Sequence, residues 1–362
     1  MLFSIFIFIL TLLVLVVIHE LGHFLLAKKF GIKVEEFGFG LPPRIWGKRI
    51  GETLYSLNWI PYGGFVKLMG EDEVDAKVLK NSRSFAQQTV WKRIAVVVGG
   101  VLMNLFLAWI IFYTVLIFQN FKIIYPSLTP GIFVGFIEKN FPAMESGIKI
   151  GDRILEIDGR KLEKLEDGKK FIQEKKGEAV EVKVAGIEGD NQRVLNIKPK
   201  LAENGNFLIG VAFSPIPFKQ YETLGEKIFS GITYSYDLTR ITFLGLGKTF
   251  GNLFSGDFAT VSQNVAGPVG IATVTNNILS AGVQAILPYL WFVGVLSLTL
   301  FIFNLLPIPA LDGGRLFFLL IEALTGKKVK AEFEKVVHTV GFVVLLSLAV
   351  LITYSDIKKL IP

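Results

Sequence analysis

Ile18-His19-Glu20-Leu21-Gly22-His23 follows a stretch that carries no charged residue from position 2 to position 18. On a helix, His19 and His23 are i and i+4 neighbours on one face, with Cβ atoms about 5–6 Å apart. That spacing suits two zinc ligands, and the adjacent Glu20 can act as general base toward water at the metal. An ionisable group at the centre of a bilayer-spanning helix costs roughly 2.5–3.5 kcal/mol even on lenient insertion scales. A chain that accepts this cost points to hydrolysis in or at a membrane.

The surrounding composition agrees. The chain has 362 residues, 51% of them hydrophobic, and a mean hydropathy of +0.52. Residues 2–18, 94–121 and 258–311 carry no charge, and 336–355 carry only His338. A span needs about 20 apolar residues. The boundaries expected are 1–27, 94–119, 285–311 and 336–355, four transmembrane helices. The first stretch has neither a basic start nor a small-residue cleavage site, so it is expected to stay as a span. There is no cysteine, which excludes disulfides and thiolate ligands and leaves His and carboxylate to hold a metal. The net charge of +7 fits membrane topology better than nucleic-acid binding, because no basic run is interleaved with aromatics.

Residues 28–93 hold twelve Lys and Arg and are expected in the cytoplasm, with the N-terminus outside. Within this loop, Trp59-Ile60-Pro61-Tyr62-Gly63-Gly64-Phe65-Val66-Lys67-Leu68 places apolar runs on both sides of a Gly-Gly pair. That pattern suggests a short β-hairpin, either dipping into the bilayer or lying in the cytoplasm. Residues 126–214 have the composition of a soluble β-rich domain and are expected outside the cytoplasm. Phe141 to Gly159 resembles the PDZ fold, in which a short helix leads into Gly-Asp, a strand and an Asp-Gly turn. PDZ domains bind extended peptide ends at a sheet edge. Residues 219–284 are expected either to lie at the interface as an amphipathic region or to pack beneath that domain. The fold class is therefore a polytopic α-helical membrane protein with a membrane-associated β-hairpin and one inserted PDZ domain.

A catalytic zinc takes three protein ligands and leaves a position open. The chain has three histidines in all, so the third ligand is His338 or a carboxylate. Asn304-Leu305-Leu306-Pro307-Ile308-Pro309-Ala310-Leu311-Asp312-Gly313-Gly314-Arg315 ends the third span. Two prolines break the helix there and two glycines allow a tight turn. Non-helical backbone at membrane depth is tolerated only under cover of protein or a water cavity, which is what a metal site needs. Asp312 is thus the favoured ligand, against the alternative that it caps a helix. His338 opens the fourth span, where an interfacial structural role suits it better. By topology, the first and third spans both run inward and bring His19, His23 and Asp312 to similar depth.

These motifs, together with Gly38-Phe39-Gly40 and Gly267-Pro268-Val269-Gly270-Ile271, occur in an order that resembles the bacterial site-2 protease family, of the regulator-of-sigma-E type. The resemblance covers essentially the whole chain. It implies intramembrane zinc proteolysis of single-span membrane protein substrates, such as anti-sigma factors after a first cut, or signal-peptide remnants. It implies that His19, His23 and Asp312 hold zinc and that Glu20 is the catalytic base. It also implies that Asn304 holds substrate backbone and that Gly63, Gly64 and Phe65 pair with the extended substrate. The location implied is the bacterial cytoplasmic membrane. Well-known members of this type carry two tandem PDZ domains, whereas this chain carries one. Two other readings stand beside this one. A non-catalytic receptor with a structural metal would need a closed, four-ligand site. A metal transporter would show paired half-structures, and no repeat is visible.

Overall fold

The computed structural model describes residues 2–71, 76–127, 130–202, 205–257, 260 and 265–360. Among these, four helices have the length and apolarity of a membrane span: α1 (Leu2–Lys29), α3 (Val90–Phe118), α8 (Ile286–Leu305) and α10 (Ala331–Leu360). Three of them outrun the charge-free sequence: α1 continues through His19, Glu20 and His23 to Lys29, and the other two do so for identifiable reasons. The helix α3 begins at Val90 and so includes Arg93, whose guanidinium is buried against Glu322. The helix α10 takes in Glu332 and Glu334 in its first turn, where acidic groups favour a helix N-terminus. Most of α10 is apolar and exposed, with Phe342 at 58% and Leu346 at 55%, the surface of a helix facing lipid.

Two compact units make up the chain: residues 1–112 with 249–362, and residues 113–248. In the first, β1 (Val34–Ile50) and β2 (Thr53–Leu68) form an antiparallel hairpin. Its turn is at Gly51 and Glu52, not at Gly63 and Gly64 as the apolar pattern suggested. Both of those glycines lie inside β2, with Gly64 opposite Phe39 and Phe65 opposite Gly38. Gly64 serves close approach, since a Cβ there would stand 2.9 Å from the Gly38 carbonyl oxygen, whereas Gly63 has open space around it and a left-handed φ of 91°. The turn is tied down by Glu52, which accepts hydrogen bonds from Lys28 and Arg83. Those two cations hold the Glu52 carboxyl down at about 2.

After the hairpin come a single turn, α2 (Ala76–Leu79), and then α3. Near the second half of this unit, α7 (Pro268–Leu279) is a short helix between long ones. Its N-terminus is capped from α10: buried Asp356 accepts the N–H groups of Gly267 and Gly270 at 2.9 and 2.8 Å. After α8 the chain makes a non-helical stretch over 306–311 and starts α9 (Asp312–Thr325). An apolar cluster of Ala27, Ile32, Val34, Leu68, Val96 and Leu316 joins α1, the hairpin, α3 and α9.

The second unit holds a sheet ordered β11-β4-β5-β7-β8, with β6 beside β5. These strands are β4 (Ile132–Ile137), β5 (Arg153–Ile157), β6 (Arg160–Lys161), β7 (Val180–Ala185), β8 (Arg193–Ile197) and β11 (Val211–Ser214). Alternation puts Val180, Val182 and Val184 of β7 in the core with Ile154 and Ile157, the inward face of a pleated strand. The short helix α4 (Pro142–Glu145) leads to Gly151-Asp152, then β5, then a turn at Asp158-Gly159. Asp152 is nearly buried and is held by Arg193 at 2.6 Å and the Lys149 N–H at 2.8 Å. Burial still pushes its carboxyl upward. The helix α5 (Leu165–Glu174) buries Ile172 in the same core. Two small ribbons complete the unit: β3 (Lys122–Ile124) with β12 (Phe218–Gln220), and β9 (Lys200–Leu201) with β10 (Phe207–Leu208).

The start of α6 (Leu224–Phe254) buries one face. Ser230, Tyr234 and Leu238 are buried at i, i+4 and i+8, with Gly231 and Ser235 beside them. The Tyr234 hydroxyl donates to the Ile124 carbonyl at 2.6 Å, and Gly231 makes room for the Tyr113 ring.

Candidate metal centre

One helical turn separates His19 and His23 on α1, and their rings meet edge to face with centroids 4.8 Å apart. Their Nε2 atoms are 3.1 Å apart. Asp312, the first residue of α9, brings Oδ2 to 2.8 Å from His19 Nε2 and 3.3 Å from His23 Nε2. Oδ2 is buried, yet its short approach to the histidines lacks hydrogen-bond geometry. Three donor atoms thus converge, and among the described residues this is the group able to hold a metal ion. Two imidazoles and one carboxylate are a donor set that zinc accepts.

Close helix packing makes the convergence possible. A Cβ on Gly22 would lie 2.2 Å from the Gly99 carbonyl oxygen, so α1 and α3 can meet only because Cβ is missing there. A Cβ on Gly100 would lie 2.2 Å from His23 Nε2. Outer partners then orient both rings: His23 Nδ1 is 2.9 Å from the Val96 carbonyl oxygen, and His19 Nδ1 is 3.3 Å from Asn104. On the other side, Gly313 and Gly314 let the first turn of α9 press against the carbonyls of Leu306 and Ile308. Ala310 is held in left-handed backbone (φ 72°), and its N–H donates to His338 Nδ1 at 2.9 Å.

Beside the ligands is a cavity of about 200 Å³ lined by Glu20, His23, Phe65, Val66, Asp312 and Arg315, among others. A Cβ built on Gly64 would stand 3.7 Å from Glu20 Cγ, so β2 runs directly past the carboxylate. Arg315 pairs with Glu71, and both residues also line a neighbouring cavity of about 560 Å³.

The sequence profile of peptidase family M50 matches residues 7–348. The chain belongs to peptidase family M50. A relative from Clostridium perfringens is 37% identical over 344 residues, 95% of both chains. The regulator of sigma-W protease RasP of Bacillus subtilis is 28% identical, over 96% of both chains. The zinc metalloprotease RasP of Geobacillus kaustophilus is also 28% identical, over 95% of both. The PDZ domain of an SdrC-like protein from Listeria monocytogenes covers 25% of this chain at 24% identity and a TM-score of 0.21.

In this M50 peptidase, Glu20, His23, Phe65 and Asp312 line one cavity, His19 joins His23 and Asp312 behind it, and Gly64 passes beside Glu20. His338 is not in the ligand group and instead supports the loop ahead of Asp312. Asn304 is half-buried near the end of α8 and does not line the 200 Å³ cavity. Gly100 and Asn104 had no place in the sequence reading. The available signal was a polar Asn, preceded by a Gly-Gly pair, in a span otherwise free of charge.

Proposed function

We propose that this M50 chain is an intramembrane zinc metalloprotease that cuts single-span membrane proteins, anti-sigma factors and signal-peptide remnants being the candidate classes. The observation that carries this reading is the grouping of His19, His23 and Asp312 beside a cavity that Glu20, His23 and Asp312 line, among membrane-length helices. His19, His23 and Asp312 would hold the metal. Zinc supplies Lewis acidity there, polarising the scissile carbonyl and making water more acidic. Glu20 takes the proton from the attacking water and passes it to the leaving amine.

A transmembrane substrate hides every peptide bond in its own helix, so it has to unwind first. Among the described residues, no third strand joins the β1–β2 sheet. Residues Gly63 to Phe65 can therefore take the unwound substrate as an added strand beside Glu20. Leu41, Ile45, Trp46, Trp59 and Ile60 are exposed and apolar, which supports a hairpin resting in the bilayer. Asn304, away from the cavity lining, would hold substrate backbone at a distance from the cut. The domain over 126–214 is read as a PDZ domain outside the cytoplasm that meets peptide ends. The twelve cationic residues of 28–93 support a cytoplasmic hairpin and a place in the bacterial cytoplasmic membrane. The receptor reading is not favoured, because a three-ligand group leaves the open position of a catalytic site.

The test is cleavage of a single-span substrate by the purified full chain. The parent is expected to cut. Glu20→Gln is expected to bind zinc as the parent does and to cut nothing, because the amide keeps the shape and loses the base. Zinc binding without cleavage in the parent would favour the receptor instead.

A further inference from the structure

Asn104 is fully buried in α3, inside a run that carries no charge from residue 94 to residue 121. A carboxamide in such surroundings is costly unless its polar atoms are paired. Its Nδ2 lies 3.3 Å from His19 Nδ1, while its Oδ1 is buried and receives no hydrogen bond. In that orientation the amide donates to Nδ1, and the imidazole proton must sit on Nε2. Yet Nε2 is the atom turned toward Asp312 and His23, so a proton there excludes a metal. Exchanging the O and N of a carboxamide leaves its outline unchanged. The exchange puts Oδ1 on Nδ1, where it accepts the Nδ1–H of His19. The orphaned oxygen is then paired, and Nε2 turns a lone pair into the cluster.

His23 meets the same requirement through the backbone carbonyl of Val96, an atom that can only accept. We infer that Asn104 is the positioning residue that sets the tautomer and ring orientation of His19 for metal binding. The inference rests on the zinc reading above and adds a residue that touches neither metal nor substrate. The Ser297 hydroxyl on α8 donates to the backbone carbonyl of Asn104 at 2.8 Å, a packing contact separate from the one its side chain makes to His19.

Zinc affinity of the detergent-purified full chain, measured by competition with a chromogenic chelator, tests this apart from activity. Asn104→Leu removes the acceptor at similar volume and is expected to weaken zinc binding by roughly 10–100-fold. Asn104→Asp is expected to restore affinity close to the parent's, because a carboxylate also accepts Nδ1–H. Ser297→Ala breaks the α3–α8 hydrogen bond but not the histidine contact, and is expected to bind as the parent does. Asn104→Ala serves as the truncation if the leucine variant does not fold. Parental affinity in the truncated variant would overturn the inference alone. So would an aspartate variant as weak as the truncation, or an equal loss in Ser297→Ala, since packing would then be the cause. A parent that binds no zinc would overturn the zinc reading, and the inference with it.

Discussion

Asp312 and His338 were the two candidates for the third ligand, and their surroundings separate them. Asp312 Oδ2 stands within 3.3 Å of both histidine nitrogens, whereas His338 spends Nδ1 on the Ala310 N–H. Asp312→Asn is expected to lower zinc affinity by more than the roughly 10–100-fold typical of losing a ligand's outer partner. His338→Ala is expected to keep the metal and lose about 1 kcal/mol of stability, the worth of one hydrogen bond. Metal analysis of the two purified variants checks the pair, and the opposite pattern would exchange their roles. Gly100 offers a steric test at the same scale. An added methyl would land 2.2 Å from His23 Nε2, far inside contact distance. Gly100→Ala is therefore expected to lose zinc although it changes no ligand, and full zinc occupancy in that variant would refute the packing argument.

At the scale of elements, the hairpin and α7 are each held by a carboxylate from elsewhere in the chain. Glu52 fastens the β1–β2 turn to the end of α1 through Lys28 and to Arg83. Asp356 fastens α10 to the start of α7 by accepting two backbone N–H groups that a helix N-terminus otherwise leaves orphaned. Hydrogen bonds to a charged acceptor are worth about 1.5–3 kcal/mol. Asp356→Ala is expected to cost about 2–3 kcal/mol, seen as a lower midpoint of thermal unfolding in detergent. An unchanged midpoint would mean that α7 is held by its apolar contacts alone. The hairpin also shows how an apolar pattern can mislead. A Gly-Gly pair between apolar runs has the signature of a turn, but here the missing side chain of Gly64 lets β2 pass close to β1 and beside Glu20. Nothing in residues 59–68 distinguishes those two uses of glycine, because the deciding neighbours are Gly38 and Glu20.

For the whole molecule, residues 113–248 form a compact unit with its own apolar core. None of the metal-centre residues lies between positions 126 and 214. Replacing 126–214 by a flexible linker is expected to preserve zinc binding and the cutting of trimmed substrates, and to loosen selection. If the unit excludes bulky substrates, the shortened chain cuts full-length substrates that the parent refuses. If it recruits trimmed ends, their cleavage becomes weaker. Cleavage assays on both substrate forms separate these cases. A shortened chain that folds and holds zinc but cuts neither form would show that the unit is needed for the chemistry itself.

The amino-acid sequence by itself determined whatever depends on neighbours along the chain. Charge-free runs of span length lie within four long apolar helices, and α-helical periodicity placed His19 and His23 on one face. The prolines and glycines around Asp312 marked the break in helix that precedes it. Tertiary structure decided what depends on segments far apart: that Asp312 and not His338 stands beside His19 and His23, that Gly64 lies inside β2, the buried face of α6, and the placing of Gly100 and Asn104 against the two histidines. The reason is physical. Local periodicity follows from backbone geometry that every helix shares. By contrast, which side chain fills the space beside a histidine is set by how closely two helices pack, and that distance is written jointly by both.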